Sequence, residues 1–230
     1  MGAAGALPCR LPPLVREFVA RSGERTSASR VRFRQEGEMQ LKPGQWKRCT
    51  AEQEMSATRV EFAWHARFPI APFVAMQVRD WYRSGRGGLE ARLLGIPLKR
   101  LHGPEVAKGE AMRYLAELPW APPAIAANGE LEWREVDGRT VQVATMVGGE
   151  RIAVSLHFDD RGDIVASTAD ERPRNVDGRA VATPFGGEFG DYTVIGGIRV
   201  PTTALVYWEL PEGRFDYFQG RLTDLTVLAD

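Results

Sequence analysis

Segments in which apolar and polar residues alternate, separated by short turns, run through most of this chain and constrain its fold more than any other feature. Between Val31 and Leu41, every second residue is apolar or uncharged and the residues between them are polar. A period of two residues predicts a half-buried antiparallel strand. Turn-forming pairs such as Pro43-Gly44 and Asp137-Gly138 separate these segments and predict hairpins. We expect roughly ten strands, among them Phe73–Tyr82 and Tyr192–Arg199, in an antiparallel meander.

Two segments break this alternation and predict helices. Pro13 to Arg21 carries an apolar stripe at helical spacing, begins with a proline and is followed by Gly23. Pro104 to Leu118 also has apolar residues at helical spacing, and Pro119 is expected to end that helix. The segment from Pro122 to Ala126 is expected to add one more turn.

A sheet of about ten strands cannot stay flat, because strand twist curls it or splits it in two. The sequence therefore predicts a mainly β (α+β) fold, a strongly curved meander or half-open barrel covered by two or three helices. No long linker or repeat divides the chain, so we expect one domain over residues 1–230. Its predicted parts are an N-terminal helix (13–22), a β-meander (30–95), a helical insertion (104–127) and a second β-meander (130–228).

Composition and charge exclude several classes of function. The 30 Lys and Arg residues balance the 30 Asp and Glu residues, so the net charge gives no reason to expect nucleic-acid binding. No apolar run approaches the ~20 residues of a transmembrane helix. The first thirteen residues lack the apolar core of a signal peptide, so a cytoplasmic location is expected unless a leader has been lost.

Recognisable catalytic, metal and cofactor motifs are missing from the sequence. The three histidines, His65, His102 and His157, occur singly, and the two cysteines, Cys9 and Cys49, have no histidine close by. No metal site and no cofactor are therefore predicted. The glycine pairs, including Gly186-Gly187, neither follow a strand nor open a helix, so they are interpreted as turns or bulges.

Six short stretches share a family pattern: residues 34–39, Trp46, and residues 50–53, 62–66, 113–122 and 171–172. Together they resemble a widespread bacterial family of uncharacterised function, over about residues 12 to 224. The resemblance implies no activity and no catalytic residues. The pattern is more weakly similar to the half-barrel of periplasmic lipoprotein carriers, which hold acyl chains between a curved sheet and covering helices. That resemblance implies a lipid-like ligand, although the chain shows no export signal.

Three groups of polar residues are candidates for a site. Arg113 and Glu117 share a helix face, which favours a simple ion pair; alternatively, Glu117 lies over a cavity mouth beside Trp120 and acts as an acid, a base or a ligand anchor. Alternation places Gln53 on the same face of its strand as Met55, and Glu52 and Glu54 on the other; if the Met55 face is the inner one, Gln53 is buried and the two glutamates are in solvent. Arg172 and Arg174 are interpreted as part of a solvated loop or, alternatively, as an anion clamp at a cavity rim.

We expect a protein that binds a lipid-like hydrophobic or amphipathic small molecule inside the curved sheet. The second hypothesis is a packed scaffold or partner-binding module without a ligand, whose protein partners the sequence does not name. The third is an enzyme that uses Glu117 with His65 or Asp80; convergent titratable groups inside the cavity would favour it. The residues expected to line the site are Phe62, Trp64, Phe73, Met76, Trp81, Trp133 and Trp208, with Glu117, Trp120 and Arg172 at its polar end.

Overall fold

One curled antiparallel sheet organises the protein. The computed structural model describes residues 11–23 and 28–229, and the thirteen strands found there form a half-barrel. The strands are β1 (Ala28–Lys42), β2 (Gln45–Ser56), β3 (Phe62–Ala71), β4 (Val74–Arg83), β5 (Arg86–Leu93), β6 (Ile96–His102), β7 (Glu132–Asp137), β8 (Thr140–Val147), β9 (Glu150–Phe158), β10 (Ile164–Val176), β11 (Arg179–Ile195), β12 (Ile198–Leu210) and β13 (Gly213–Ala229).

Two meanders meet in the middle of this sheet. Strands β1 to β6 pair in sequence order, and so do β7 to β13. The first and last strands of the chain, β1 and β13, then pair with each other over residues 28–39 and 218–229. The free edges of the sheet are therefore β6 and β7, which flank the helical insertion in the sequence.

Helices lie against the sheet. They are α1 (Pro13–Arg21), α2 (Pro104–Ala116) and α3 (Pro122–Ala127), with a single 3₁₀ turn (Leu118–Trp120) between the last two. Helix α2 contacts β4 to β6 on one side and β8 to β11 on the other, so it bridges the two flanks of the curled sheet. Helix α1 packs on α3 and buries Val15, Phe18 and Val19. No helix in the described part of the chain is long and apolar enough to cross a membrane.

The predicted fold class is confirmed, but the predicted strand count is too low. Strand β6 and the first thirteen residues of β11 were not predicted. The expected strand 192–199 is wrong, because Gly196-Gly197 has positive φ and forms the turn between β11 and β12. Gly186-Gly187 lies inside β11 and not in a turn. A Cβ atom on Gly186 would come within 2.3 Å of the Tyr207 side chain on the neighbouring strand, so that ring occupies the space a side chain would need.

Local deviations from the predicted boundaries have clear causes. Phe73 was predicted inside a strand, but it has φ 64° and forms the turn before β4. Helix α2 ends at Ala116, two residues earlier than predicted, and the chain continues as the 3₁₀ turn that contains Pro119. Cys9 and most of the N-terminal segment that suggested the absence of a signal peptide lie outside the described residues.

Candidate functional site

A cavity of about 310 Å³ lies between the curled sheet and helix α2. Both meanders line it, since β1, β3 and β4 contribute residues from one side and β10 to β13 from the other. Its walls are largely apolar, and a site of this kind suits a small molecule with a substantial apolar part. The large apolar side chains in the wall are Trp64, Leu101, Trp120, Phe185, Phe189, Val206, Trp208 and Phe218.

The cavity opens to solvent at one end of the sheet. Lys99 on β6, Asn175 at the end of β10 and Ala180 at the start of β11 all line it and are exposed. These positions place the mouth between the free edge strand β6 and the β10–β11 hairpin. A ligand could therefore enter without unfolding any strand.

Arg113 is the centre of an ion-pair cluster on one wall. Its Nη1 donates to Asp80 Oδ2 at 2.7 Å, and its Nε donates to Glu117 Oε1 at 2.8 Å. Its Nη2 donates to Gln53 Oε1 at 3.3 Å, and Gln53 Nε2 donates to Glu117 Oε2 at 2.5 Å. Every group of the guanidinium therefore has a partner inside the protein. The predicted Arg113–Glu117 pair is present, and Asp80 and Gln53 join it.

Aromatic rings complete the surroundings of Arg113. Its guanidinium carbon lies 4.8 Å from the centroid of Trp64 and 5.2 Å from that of Phe62, both within the range of cation–π attraction. Burial alone would lower the pKa of Arg113, but Glu117 and Asp80 outweigh it and hold the pKa above its usual value. Arg113 therefore stays charged and serves to hold this wall together.

Arg172 lies on the opposite wall, and a β-bulge directs it there. In the pairing of β10 with β11, Ala169 faces Phe185 and Arg172 faces Thr183, so β10 has one extra residue at this point. Such a bulge reverses the alternation of faces beyond it. Asp170 and Glu171 are both exposed, while Arg172 is only 8% exposed. The interpretation of residues 172–174 as a solvated loop is therefore wrong, because β10 continues to Val176.

The partners of Arg172 are uncharged. Its Nε donates to the backbone oxygen of Gly109 on α2 at 3.1 Å, and its Nη1 lies 3.4 Å from the Tyr217 hydroxyl. The guanidinium carbon lies 4.4 Å from the Phe185 centroid and 5.3 Å from the Trp208 centroid. Among the described residues it forms no ion pair with a carboxylate. Asp80 and Glu110 are close enough to interact electrostatically with Arg172, but neither forms an ion pair with it. A buried guanidinium without a direct ion-pair partner attracts an anion.

Three buried side-chain oxygens that have no hydrogen-bond partner within residues 11–23 and 28–229 belong to residues lining this cavity. They are Asp80 Oδ1, Glu110 Oε2 and Ser167 Oγ. The residues are 8%, 7% and 0% exposed. A buried polar atom without a partner costs free energy, so each of the three oxygens retains unused hydrogen-bonding capacity close to the cavity.

Burial changes the protonation of the two carboxyl groups. It raises the pKa of Glu110 to about 8, and the nearby Asp80 acts in the same direction. Burial also raises the pKa of Asp80, against the opposing charge of Arg113. Glu110 is therefore mostly a neutral acid at pH 7 and can donate a hydrogen bond. Together with Arg172 and the Ser167 hydroxyl, it gives the cavity several potential donors.

The structure brings five of the ten predicted site residues to this cavity: Trp64, Glu117, Trp120, Arg172 and Trp208. The other five lie elsewhere. Phe62 is buried under Arg113, and Met76 is half-buried against the core without reaching the cavity. Phe73 is fully exposed at its turn. Trp81 is half-buried opposite Gly88, on the face away from its inward neighbour Asp80, and Trp133 is half-buried on edge strand β7.

The remaining candidates fall on the outer face or away from the site. The face of β2 that carries Met55 points inward, so Gln53 is buried, and Glu52 and Glu54 point outward, where Glu54 pairs with Arg30 and Arg32. His65 is exposed opposite Glu52, so it does not converge with Glu117, whereas Asp80 does converge with Glu117 through Arg113. Within the described residues, no group of three histidine, cysteine or acidic side chains could hold a metal ion.

Sequence reasoning missed Glu110, Ser167 and Tyr217. A signal for Glu110 was present, because it lies in the helical stripe formed by Ala107, Ala111 and Tyr114, where a carboxylate is out of place. Ser167 offered no such signal, since a second irregularity in β10, between Ile164 and Ala166, sets the face on which it lies.

Comparison with solved structures found two similar chains. A LolA superfamily protein from Nitrosomonas europaea is 9% identical, with a TM-score of 0.46 over 94% of this chain and 93% of the other. A β-barrel-like protein of the domain of unknown function DUF1849 from Brucella abortus is also 9% identical, with a TM-score of 0.30 over 87% of this chain and 98% of the other.

A search of the curated proteins found no match to the sequence. A family model does match, and it covers residues 4–220, nearly the whole chain. The predicted resemblance to a family of uncharacterised function is thereby confirmed. The chain belongs to the family of unknown function DUF6544.

Proposed function

We propose that the protein binds an amphipathic small molecule that carries an anionic headgroup, such as a carboxylate or a phosphate. The observation that carries this proposal is the buried Arg172, which lines the cavity and has only uncharged partners. The anion would lie against its guanidinium. The apolar part of the ligand would lie among the aromatic rings of the cavity wall.

The other polar groups in the cavity support an anion more than a cation. Glu110, neutral at pH 7, and the Ser167 hydroxyl can each donate a hydrogen bond to an anionic oxygen. Two rings that flank Arg172, those of Phe185 and Trp208, keep water away from one side of the guanidinium. Exclusion of water strengthens a charge-assisted hydrogen bond.

Native mass spectrometry can test this proposal. The protein would be mixed with equal amounts of decanoate, decyl phosphate, decanol and decylamine, and the bound species identified. We expect one decanoate or decyl phosphate per chain and neither of the other two ligands. Arg172→Gln should lose the anionic adducts, and the exposed control Arg134→Gln should keep them. Equal binding of decanol would contradict the role of Arg172.

A second candidate function is acid–base catalysis on the bound molecule. Asp80 and Glu110 favour it, because both residues line the cavity and both have a raised pKa. Each also has one carboxyl oxygen without a hydrogen-bond partner in the described part of the chain. The two functions differ in one observable. A catalyst would return a chemically altered ligand, and Glu110→Gln would return the ligand unchanged. A binding protein would return the same molecule in both cases.

A further inference from the structure

Three hairpin ends lie side by side at the end of the sheet where the cavity opens. They connect β1 to β2, β3 to β4 and β5 to β6. The strand register brings them together, since Thr50 on β2 pairs with Arg67 on β3, and Met76 on β4 pairs with Leu93 on β5. We call this surface the hairpin rim and define it as residues 39–51, 66–78 and 91–102.

The hairpin rim exposes a concentration of apolar side chains. Nine large apolar residues are exposed in the described part of the chain, and five of them belong to two neighbouring rim hairpins. The other four are scattered over the rest of the sheet. An exposed apolar cluster of this kind marks an interaction site. The five rim residues are Ile70, Phe73, Leu94, Ile96 and Leu98.

Two of these side chains are held at the outermost points of their turns by an unfavourable backbone. Phe73 has φ 64° and is fully exposed, and Leu94 has φ 51° and is 74% exposed. Bulky residues are disfavoured at positive φ, where glycine or asparagine is usual. Folding gains nothing from a buried contact at Phe73. Retaining large apolar residues at both turns is therefore better explained by a contact outside the protein.

The charge of the hairpin rim is strongly one-sided. Its three segments contain seven Lys and Arg residues and no Asp or Glu, in a chain whose net charge is zero, and the nearest acidic strand partners, Glu38 opposite Arg48 and Glu90 opposite Arg100, lie just outside them. Arg48 pairs with Glu38 at 3.6 Å, and Arg92 pairs with Glu90 at 2.9 Å. The other five basic residues form no ion pair within the part of the chain that the structure describes. They are Lys42, Lys47, Arg67, Lys99 and Arg100.

We propose that the hairpin rim docks on a lipid bilayer that contains anionic lipids. Phe73 and Leu94 enter the interface between headgroups and acyl chains, and the surrounding basic residues bind the lipid headgroups. Single side chains that protrude from turns suit a soft apolar layer better than the surface of a folded protein partner, which requires shape complementarity over a continuous area. This inference stands on the rim alone and does not require the proposed cavity ligand.

Docking in this way has a consequence for the cavity. Lys99 belongs both to the hairpin rim and to the lining of the cavity mouth. A bilayer bound at the rim would therefore lie next to the mouth, and an amphipathic molecule could pass between them with little exposure to water.

Flotation with lipid vesicles tests the docking proposal. The full chain would be mixed with vesicles of phosphatidylcholine alone, or of phosphatidylcholine with phosphatidylglycerol. We expect at least tenfold tighter binding to the anionic vesicles, and weaker binding as salt is raised. The double variant Phe73→Asn/Leu94→Asn should lose at least tenfold in affinity. Asparagine tolerates positive φ, so this variant should fold normally.

Matched control variants test whether vesicle binding depends on the hairpin rim itself or on exposed basic and apolar residues anywhere on the protein. Val194→Ser removes an exposed apolar residue outside the rim and should bind like the wild type. The triple variant Lys42→Gln/Lys47→Gln/Arg67→Gln should bind at least tenfold more weakly, whereas Arg16→Gln/Arg134→Gln/Arg161→Gln should not. Equal losses in the rim and control variants would overturn the proposal.

Two further outcomes would also overturn it. Equal binding to neutral and anionic vesicles would remove the role of the basic residues. A concentration-dependent dimer that Phe73→Asn/Leu94→Asn abolishes, without vesicle binding by the wild type, would assign the rim to a second copy of the chain. Arg172→Gln should bind vesicles normally, so failure of the cavity proposal and failure of the docking proposal are distinguishable.

Discussion

The two walls of the cavity each bury an arginine, and they treat it in opposite ways. On the wall formed by β2 to β4, Arg113 has two carboxylate partners and an amide. On the wall formed by β10 to β13, Arg172 has a backbone carbonyl, a phenol and two aromatic rings. The first arginine forms two ion pairs within the protein, whereas the second has Asp80 and Glu110 nearby but forms no ion pair within the described residues. The difference indicates that Arg113 stabilises the fold and that Arg172 is available to a ligand.

Removing each arginine should give the largest contrast. Arg113→Met leaves Asp80 and Glu117 buried without a counter-charge, which costs about 3–5 kcal/mol of the free energy of unfolding. Arg172→Met breaks no ion pair but removes the buried hydrogen bond to the Gly109 carbonyl, so we expect a smaller loss of about 1.5–3 kcal/mol. Urea denaturation of both variants measures the difference. Equal losses would mean that the two walls do not differ in this way.

Ligand affinity should show the reverse order. Arg172→Gln should weaken decanoate binding by a factor of about 10 to 100, because a hydrogen bond to a charged group contributes about 1.5–3 kcal/mol. Decanol binding should stay within about twofold of the wild type. Isothermal titration calorimetry provides the measurement, and Arg134→Gln is the control. A parallel loss for decanol would show that the variant has collapsed the cavity.

Raising the pH should weaken anion binding through Glu110. Because the pKa of this group is raised to about 8, it is protonated below pH 8 and becomes an anion above it. We expect decanoate affinity to fall several-fold between pH 7 and pH 9, and Glu110→Gln to remove most of that fall. The decanoate carboxylate is ionised throughout this range, so a pH-independent wild type would contradict the assignment of Glu110.

The same shift predicts a change in stability. The unfolded chain releases the Glu110 proton near the ordinary glutamate pKa, whereas the folded protein holds it until about pH 8. The contribution of this proton to the free energy of unfolding is therefore complete below the pKa that Glu110 has in the unfolded chain. It is lost as the pH rises through the pKa that Glu110 has in the folded protein. Urea denaturation should show a smaller dependence on pH between 5 and 8 in Glu110→Gln than in the wild type. An unchanged dependence would exclude Glu110 as its source.

An arginine–glutamate ion pair on the outer face gives the smallest expected effect on the free energy of unfolding, and the larger effects above can be compared with it. Arg32 and Glu54 meet at 2.8 Å on the outer face of the sheet. Glu54→Gln should reduce the free energy of unfolding by about 0.2–1 kcal/mol, since solvent weakens such pairs. Urea denaturation in low and high salt checks this value. A loss as large as that of Arg113→Met would show that burial does not make the ion pairs of Arg113 stronger than the pair on the outer face.

The sequence predicted the fold class because alternation and turns are local signals. The helix Pro13–Arg21 was predicted at its observed boundaries, and the alternation of β2 correctly placed Gln53 on the same face as Met55. Strand β6 was not predicted, because Ile96–His102 shows no alternation of burial at the free edge of the sheet. Local patterns fail at such an edge, where one partner strand supplies the pairing.

The candidate site was less predictable, because bulges decide which side chains enter the cavity. The alternation of β10 by itself would direct Glu171 inward and Arg172 outward, and the extra residue beyond Ala169 reverses this. The orientation of Trp81 was also wrongly predicted, although no bulge is involved. Asp80 points inward, so the next residue, Trp81, points outward. Convergence of Asp80, Gln53 and Glu117 on Arg113 depends on packing α2 across the sheet, which no local pattern contains.

A crystal structure of the protein with ω-bromodecanoate would test the central claim most directly. The anomalous signal of bromine locates the far end of the chain, and the electron density locates the carboxylate. We expect the carboxylate within hydrogen-bond distance of the Arg172 guanidinium and the bromine inside the cavity among Trp64, Trp120 and Phe189. A carboxylate bound at Arg113, or a ligand bound only outside the cavity, would contradict the account.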